Sequence, residues 1–252
     1  HVSEPALVKE WLKGIAKGAG EAQCMVPSGE IGDVPDLIKG LADGKGFDMV
    51  FSSVGMVHNE RVIRADGLKP GDAIIGLASS GVHSNGITLA RKVLFKQWGG
   101  EYKPFDVPDG LDRELVHEVL EPTRIYVKPF MKLVDKGWVK AAVHVTGDAY
   151  LKFEKLTSFS KGIGFEFDCF KPQPIFELIR KTSREQRNPI SDEEMFKTFN
   201  MGWGFAVITS KTDCEDASEI LEKAGGEPEQ IGFITSRPGV KIQHNKRKII
   251  LA

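Results

Sequence analysis

The chain has 252 residues, with 34 Lys+Arg and 35 Asp+Glu, so its formal net charge is -1. This length predicts one large domain or two smaller ones, and an apolar content of 41% is enough to build a buried core. The near-neutral charge gives no chain-wide attraction to nucleic acid or to an anionic membrane surface. No apolar run approaches the roughly 20 residues that a membrane helix needs, so neither nucleic acid nor a membrane is an expected partner.

Cysteine usage and the N-terminal residues predict the cellular compartment. Cys24, Cys169 and Cys214 are far apart and odd in number, and no CxxC pair occurs. This pattern favours reduced thiols and excludes a zinc site of the usual spacing. The first residues lack a basic stretch followed by an apolar core, so no secretory signal is predicted and we expect a cytoplasmic protein. Because the chain begins at His1 and not at Met, we expect a further segment upstream.

The first part of the chain is predicted to combine a helix, a loop and a strand. Apolar residues at helical spacing predict a helix over residues 4–19, with Ser3 as its N-cap and one face toward a core. Gly and Pro residues in 27–46 predict an irregular loop with a short helix at 36–41. The apolar and partly alternating segment 47–58 predicts a strand.

Turn residues at 67–72 predict a domain boundary, which separates residues 1–67 from residues 68–252. Helices and strands intermix along the second part, which indicates an α/β or α+β fold. Strands are predicted at 73–77, 139–145, 204–208 and 229–234, with a last strand in the basic C-terminal segment 241–252. Helices are predicted at 87–98, 113–120, 122–136, 173–182 and 213–224, the last of them ending at Gly225-Gly226.

The segment from Ser79 to Gly86 reads Ser-Ser-Gly-Val-His-Ser-Asn-Gly and joins a predicted strand to a predicted helix. Small residues let backbone N–H groups approach an anion closely, and a helix N-terminus adds partial positive charge. The segment is therefore suited to a phosphate or polyphosphate. The alternative is a plain connecting loop whose Ser and Asn side chains only cap the helix, since the spacing is neither that of a Walker A loop nor GxGxxG.

A second polar segment, His144-Val145-Thr146-Gly147-Asp148, follows an apolar predicted strand. A histidine at a strand end is suited to bind a phosphate or to move a proton, and Asp148 is suited to coordinate a metal ion or to orient the histidine. A buried histidine that only hydrogen-bonds to the backbone is the alternative.

Two shorter motifs also leave two interpretations open. Residues 199–204, Phe-Asn-Met-Gly-Trp-Gly, either pack closely against a neighbouring backbone or face a ligand. Glu30, which follows Ser28-Gly29, is either a Mg²⁺ ligand or a solvated loop carboxylate.

Four segments, in this order, resemble the phosphoribosylformylglycinamidine cyclo-ligase family, the AIR synthetases of purine biosynthesis. They are GLASSGVHSNGITLARKVL (76–94), LEPTRIYVKP (120–129), HVTGDAYLKF (144–153) and EMFKTFNMGWGFAVI (194–208). Residues 14–35 look like the family's helix and Gly-Gly-Glu loop, so the resemblance covers nearly the whole chain. A further segment with additional acidic metal ligands normally precedes these motifs in the family, and we therefore expect an N-terminally truncated chain.

The resemblance implies two α/β domains, with a partial N-terminal domain that contributes to a dimer-forming barrel and a C-terminal α/β sandwich. It implies an ATP-dependent ligase with Mg²⁺ as a second cofactor. This enzyme would act as a homodimer and close the imidazole ring of formylglycinamidine ribonucleotide, giving 5-aminoimidazole ribonucleotide, ADP and phosphate. The alternatives are another ATP-dependent enzyme of the same superfamily, of the thiamine-monophosphate kinase or selenophosphate synthetase type, or an inactive dimerising fragment.

By the same resemblance, His144 and Thr146 are expected to be catalytic and Glu30 to bind the metal ion of the nucleotide. The residues expected to bind nucleotide or substrate are Gly81, His83, Ser84, Asn85, Gly86, Gly147, Asn200 and Gly202. The chain departs from the family pattern at Asp148 and Ala149, where glycines are usual, and at Ser28. A carboxylate at position 148 would repel phosphate unless a cation lies beside it.

Overall fold

The computed structural model describes residues 4–32, 34, 37–38, 40 and 46–251. The chain divides into two compact units, His1–Val62 and Ile63–Ala252. Ser3 and half of the helix predicted at 36–41 lie outside the described residues. The assignment of residues 1–67 and 68–252 to two functional domains stays a prediction.

The described part of the first unit contains helix α1, Pro5–Glu21, which confirms the predicted helix. Pro5 lies in its first turn, where the missing N–H has no helical partner to lose. The ring centroids of Trp11 and Phe47 are 4.2 Å apart. No residue of α1 is buried, and Leu12 is 59% exposed, so the expected burial of one helix face against a core is wrong.

The strand predicted over residues 47–58 is also wrong. Val50, Val54 and Met56 are 89%, 97% and 101% exposed, and no described segment pairs with this stretch. A strand is stabilised when its N–H and C=O groups bond to a neighbouring strand. An apolar alternating pattern does not supply that neighbour.

The second unit is built on a mixed sheet of seven strands among the described residues. The strands are β1 Ala73–Ala78, β2 Ala141–His144, β3 Gly164–Phe167, β4 Trp203–Thr209, β5 Pro228–Thr235, β6 Gly239–His244 and β7 Arg247–Leu251. Their order across the sheet is β2-β4-β1-β5-β3-β6-β7. Neighbouring strands run antiparallel except β3 and β6, which are parallel.

Helices cover both faces of this sheet. They are α2 Ile87–Leu94, α3 Leu115–Val119, α4 Val127–Val134, α5 Pro174–Glu185, α6 Asp192–Thr198 and α7 Cys214–Lys223, with 3₁₀ segments at Asn59–Arg61, Lys96–Trp98 and Ala149–Ser158. Alternate residues of β1 enter different clusters, because successive side chains of a strand point to opposite faces. Ile74 packs with α2, α5 and α6, whereas Ile75 packs with Leu133 of α4 and Leu221 of α7. The predicted mixed α/β fold is confirmed.

Several predicted elements are confirmed with shifted ends, and some elements were missed. Helix α2 ends at Leu94, not at residue 98, because the backbone of Phe95 is extended and forms a bridge with Tyr102. Strand β3, helix α6 and the 3₁₀ segment after β2 were not predicted. No helix in the described part of the chain combines the length and apolarity needed to cross a bilayer. The three cysteines are free thiols, as predicted.

The predicted last strand is in fact a hairpin, β6 and β7. Its two-residue turn is Asn245-Lys246, where both φ angles are positive, +49° and +62°. Positive φ at both positions is the geometry of a type I′ turn, and Asn tolerates it better than most residues. Strand β7 lies at the end of the sheet, where Arg247 and Lys248 are exposed. The basic side chains of the C-terminal segment therefore lie in solvent at the edge of the sheet.

Candidate functional site

The Ser79–Gly86 loop runs from the end of β1 to the start of α2, as predicted. Its bend depends on left-handed backbone angles at Gly81, His83 and Gly86, with φ of +150°, +61° and +88°. Glycine adopts such angles without steric cost. A β-carbon on Gly86 would also clash with the Phe199 ring, so this glycine lets the loop lie directly against the 199–204 segment.

The backbone N–H groups of the loop are the feature that an anion would meet. Ser79 N–H donates to Gly202 O (2.8 Å), and Ser80 N–H donates to His83 Nε2 (3.1 Å). From Gly81 to Gly86 no backbone N–H has a protein partner among the described residues. The first N–H groups of α2 have no intrahelical partner either. A run of free N–H groups ahead of a helix is suited to bind an oxyanion.

The Asn200 side chain is hydrogen-bonded to the loop. Its side-chain Nδ2 donates to Gly81 O (2.8 Å) and Val82 O (3.3 Å), and its Oδ1 accepts from Gly202 N–H (2.9 Å). Asn200 is only 3% exposed, and its backbone oxygen accepts from the Tyr150 hydroxyl (2.7 Å). Both ends of the amide are therefore engaged within the protein. This geometry is that of a brace, and the expected contact between Asn200 and a ligand stays a prediction.

Gly202 is positioned by the same contacts. Its φ is +103°, and a β-carbon would lie 2.8 Å from the carbonyl oxygen of Lys171. Its N–H and C=O bond to Asn200 and Ser79. A ligand-binding role for Gly202 likewise stays a prediction, whereas the close packing that the motif predicted is present.

His83 is the buried side chain of the loop and is 8% exposed. Its Cε1 would be 2.7 Å from a β-carbon on Gly204, and the Tyr126 hydroxyl is close to the same point. Burial, together with the nearby His144 and Arg124, lowers the pKa of His83 to about 4. The imidazole is therefore neutral at pH 7.

The turn after β2 lies beside this loop. Asn85 Nδ2 is 3.2 Å from the position of a β-carbon on Gly147, so the two predicted segments meet. Lys152 Nζ donates to His144 O (3.1 Å) and to Thr146 Oγ1. Lys152 thus contacts both residues that the sequence proposes as catalytic. It bonds to the backbone oxygen of His144 and to the hydroxyl of Thr146.

Cations surround this turn. Lys155 Nζ lies 3.5 Å from Asp148 Oδ2, which supplies the cation that a carboxylate at this position requires beside a phosphate site.

The His144 ring lies near Tyr126 and Phe205, with centroids 6.1 Å from each. Partial burial of the ring and the charge of Lys152 both lower the pKa of His144.

The sequence did not single out Arg124 or Lys152. Arg124 lies within the quoted segment LEPTRIYVKP, forms an ion pair with Glu227 (2.8 Å) and is near enough to His83 to affect its pKa. The segment that carries Arg124 contacts the loop, since the Ser80 hydroxyl donates to Pro122 O (2.6 Å), and residue spacing does not reveal this contact. Lys152 follows Asp148 by four residues on a segment that was not predicted to be helical.

Three further residues were expected to bind a ligand or a metal ion: Ser84, Asn85 and Glu30. Ser84 and Asn85 are exposed at the top of the loop. Glu30 is exposed in the first unit, and its role as a metal ligand stays a prediction. Among the described residues no group of three or more His, Cys, Asp or Glu is arranged to hold a metal ion.

A separate surface cavity of about 430 Å³, next to Tyr102 and Leu178, contains none of the predicted residues.

Comparisons with known proteins identify the family. The sequence profile for "AIR synthase related protein, C-terminal domain" matches residues 69–245. The phosphoribosylformylglycinamidine cyclo-ligase of Pyrococcus furiosus is 37% identical over 251 residues, which are 99% of this chain and 68% of that protein. The enzyme of the same name from Methanopyrus kandleri is 36% identical over 250 residues, 98% of this chain and 68% of that protein.

Among solved structures, T. maritima PurL complexed with ATP is similar over 77% of this chain and 26% of its own, with 14% sequence identity and a TM-score of 0.46. The sequence relatives give the firmer result, because their similarity extends over nearly the whole chain. The chain spans about two thirds of the length of these two relatives. The chain therefore belongs to the phosphoribosylformylglycinamidine cyclo-ligase family.

Proposed function

We propose that this chain carries out the ATP-dependent closure of formylglycinamidine ribonucleotide to 5-aminoimidazole ribonucleotide, with release of ADP and phosphate. Membership of the cyclo-ligase family supports this activity. The observation that carries the proposal for the site is the run of free backbone N–H groups from Gly81 to Gly86. The thiamine-monophosphate kinase and selenophosphate synthetase types are not favoured, because the relatives at 36–37% identity are named as cyclo-ligases.

The reaction needs a better leaving group than an amide oxygen. That oxygen attacks the γ-phosphorus of ATP, and the bond from the γ-phosphorus to ADP breaks. The amine of the same molecule then attacks the activated carbon, the C–O bond breaks, phosphate leaves and the nitrogen loses a proton. The nucleophile is already tethered, so much of the rate comes from holding the two ends together.

The residues described above suit the binding part of this task. The free N–H groups of the loop donate to phosphate oxygens, and Arg124, Lys152 and Lys155 supply positive charge. His144 and Thr146 are proposed as the substrate-side or acid/base groups, held by Lys152. ATP fits these donors, since polyphosphate is bound by such main-chain groups.

Mg²⁺, homodimerisation and a cytoplasmic location belong to the same proposal. Mg²⁺ is commonly bound by one or two carboxylates together with phosphate oxygens, so Glu30 is the proposed carboxylate. When bound, the ion would neutralise charge on the transferred phosphoryl group.

A substrate comparison tests the activity. ADP release should be stimulated by formylglycinamidine ribonucleotide and not by thiamine monophosphate or selenide. Stimulation by either of the other two substrates alone would contradict the proposal. If an extended chain turns over the ribonucleotide and this chain only binds it, the activity belongs to the family but this chain is incomplete for catalysis.

A matched pair of glycine variants tests the loop. Gly81 has φ +150° and Gly110 has φ +93°, and a β-carbon at either would meet only loose contacts or open space. Both Gly81→Ala and Gly110→Ala therefore introduce backbone strain, but only the first displaces the loop N–H groups. We expect at least a tenfold rise in the ATP dissociation constant for Gly81→Ala and less than a twofold change for Gly110→Ala. Equal effects would contradict an anion site at the loop.

A further inference from the structure

The contacts around Ser80 fix the position of the proton on the His83 ring. Ser80 N–H donates to His83 Nε2 (3.1 Å), and a backbone N–H can only donate. The Ser80 hydroxyl lies 3.0 Å from the same nitrogen, but its single hydrogen is donated to Pro122 O (2.6 Å). Nε2 is therefore the acceptor, and the proton of the neutral ring is on Nδ1.

The Nδ1 atom is buried and has no hydrogen-bond partner among the described residues. A buried donor without a partner costs about 1–3 kcal/mol, and such groups are rare in folded proteins. This free-energy cost is removed when an acceptor atom of a ligand forms a hydrogen bond with Nδ1. His83 is itself part of the loop with the free N–H groups, so we take a ligand of that loop as the source of the acceptor. Because Nδ1 is buried, the loop has to shift for a ligand atom to reach it.

The charged groups near His83 favour the same neutral form. His144 on β2 and Arg124 before α4 both oppose a positive charge on the ring, and Arg124 is paired with Glu227. Tyr126, at the start of α4, is uncharged and donates its hydroxyl to Ala78 O (3.1 Å). Burial is the largest cause, and together with these charges it lowers the pKa of His83 to about 4.

We propose that His83 is a neutral hydrogen-bond donor whose Nδ1–H binds an acceptor oxygen of the substrate or the nucleotide. The proposal rests on the proposed function and specifies one contact within it. His83 then orients its ligand by a directional bond and adds no positive charge to the site. It also does not act as a proton-donating imidazolium near pH 7.

Nuclear magnetic resonance tests the protonation state without an activity assay. In a long-range ¹H–¹⁵N spectrum of the histidine-labelled chain, His83 should show a protonated Nδ1 and an unprotonated Nε2. This pattern should persist from about pH 8 down to about pH 5.5. A protonated Nε2, or an imidazolium near pH 7, would overturn the proposal even if the chain is an active cyclo-ligase.

Two substitutions test the ligand contact. His83→Asn keeps an N–H donor near the position of Nδ1, whereas His83→Gln keeps an acceptor for Ser80 N–H but loses that donor. His117→Asn is the control, because His117 is exposed on α3 and bonds to Glu114 (3.1 Å). Circular dichroism and urea unfolding establish that each variant is folded.

Calorimetric titration with ATP and, separately, with formylglycinamidine ribonucleotide identifies which ligand supplies the oxygen. We expect His83→Gln to weaken the binding of one of these ligands by tenfold or more, and His83→Asn to weaken it by less than threefold. His117→Asn should leave both affinities unchanged. If His83→Asn and His83→Gln have the same affinity as each other for ATP and also for formylglycinamidine ribonucleotide, the proposed contact is wrong. Failure of the proposed cyclo-ligase function is a separate result, because it appears as a lack of turnover by the unmodified chain.

Discussion

The side-chain amide of Asn200 donates a 2.8 Å hydrogen bond to the carbonyl oxygen of Gly81, 119 positions earlier in the chain. The bond connects the segment just before β4 to the loop that follows β1, and these two strands are neighbours in the sheet. With its acceptor in use, the Gly81 peptide is held in one orientation. The neighbouring N–H groups are consequently positioned before any ligand arrives, which lowers the entropic cost of binding.

Asn200→Ala should destabilise the protein and weaken nucleotide binding together. The substitution removes the partners of Gly81 O and Gly202 N–H, both of which lie in buried residues. Unsatisfied buried polar groups lower the free energy of unfolding by about 2 kcal/mol. Urea unfolding and ATP titration measure the two effects, with Asn188→Ala as an exposed control. A loss of stability with unchanged ATP affinity would show that the brace does not serve the site.

Gly204→Ala should disturb the site by steric overlap. A β-carbon there would clash with the Tyr126 hydroxyl and lie 2.7 Å from His83 Cε1. Moving these two buried side chains should cost about 1–3 kcal/mol of unfolding free energy. Thermal unfolding and the nuclear magnetic resonance signals of His83 measure the effect.

Gly67→Ala is the matched control for this steric effect. A β-carbon at Gly67 has no neighbouring atom within 4 Å. We expect less than about 0.5 kcal/mol of change. Similar losses in the two variants would contradict the steric explanation.

Asp148→Asn should strengthen binding of inorganic phosphate at low ionic strength. Asp148 has φ +64°, and Asn tolerates this left-handed angle as well as Asp does, so folding stability should hardly change. Removing the carboxylate also frees Lys155 to interact with an anion. We expect an affinity gain of about threefold that largely disappears in about 1 M salt. Asp112→Asn, on an exposed loop, should give no gain.

The lowered pKa of His83 predicts a loss of stability in acid. The folded-state value is about 4 and the ordinary value is 6.5, so the unfolded chain takes up a proton first as the pH falls. Stability contributed by neutral His83 is therefore present above about pH 6.5 and is lost progressively toward pH 4, by roughly 3 kcal/mol. His144 and His244 also have lowered pKa values and contribute with the same sign.

The comparison with His83→Gln isolates the contribution of His83. Urea unfolding at several pH values should show a smaller decrease in acid for the variant than for the unmodified chain, while the other two histidines act equally in both. Parallel curves would contradict a lowered pKa for His83 in the folded protein.

The strand, loop and helix around the candidate site could be predicted because their information is local. The apolar run before Ser79, the small residues up to Gly86 and the helical spacing after it each specify one element. The residues that contact this loop from elsewhere in the chain depend on the tertiary fold. Asn200 was expected from the family resemblance, but its hydrogen bond to Gly81 O depends on the pairing of β4 with β1. Arg124 and Lys152 were not predicted, because one lies in a loop and the other in a 3₁₀ segment that has no clear periodic pattern.

The segment 47–58 shows the opposite case, in which a local pattern was misleading. Its apolar alternation is typical of a strand, but strand formation requires a second backbone to pair with. Strand β3 was missed for a related reason, since its four residues, Gly164–Phe167, are too short for a period to be evident. It exists because β5 and β6 bond to it on both sides.

The exposed basic residues of β7 have a consequence for assembly. An outermost strand offers unpaired main-chain groups on which another chain can extend the sheet. Arg247 and Lys248 are exposed on this strand, and an added strand would have to displace part of their hydration. Extension of the sheet through this edge is therefore disfavoured.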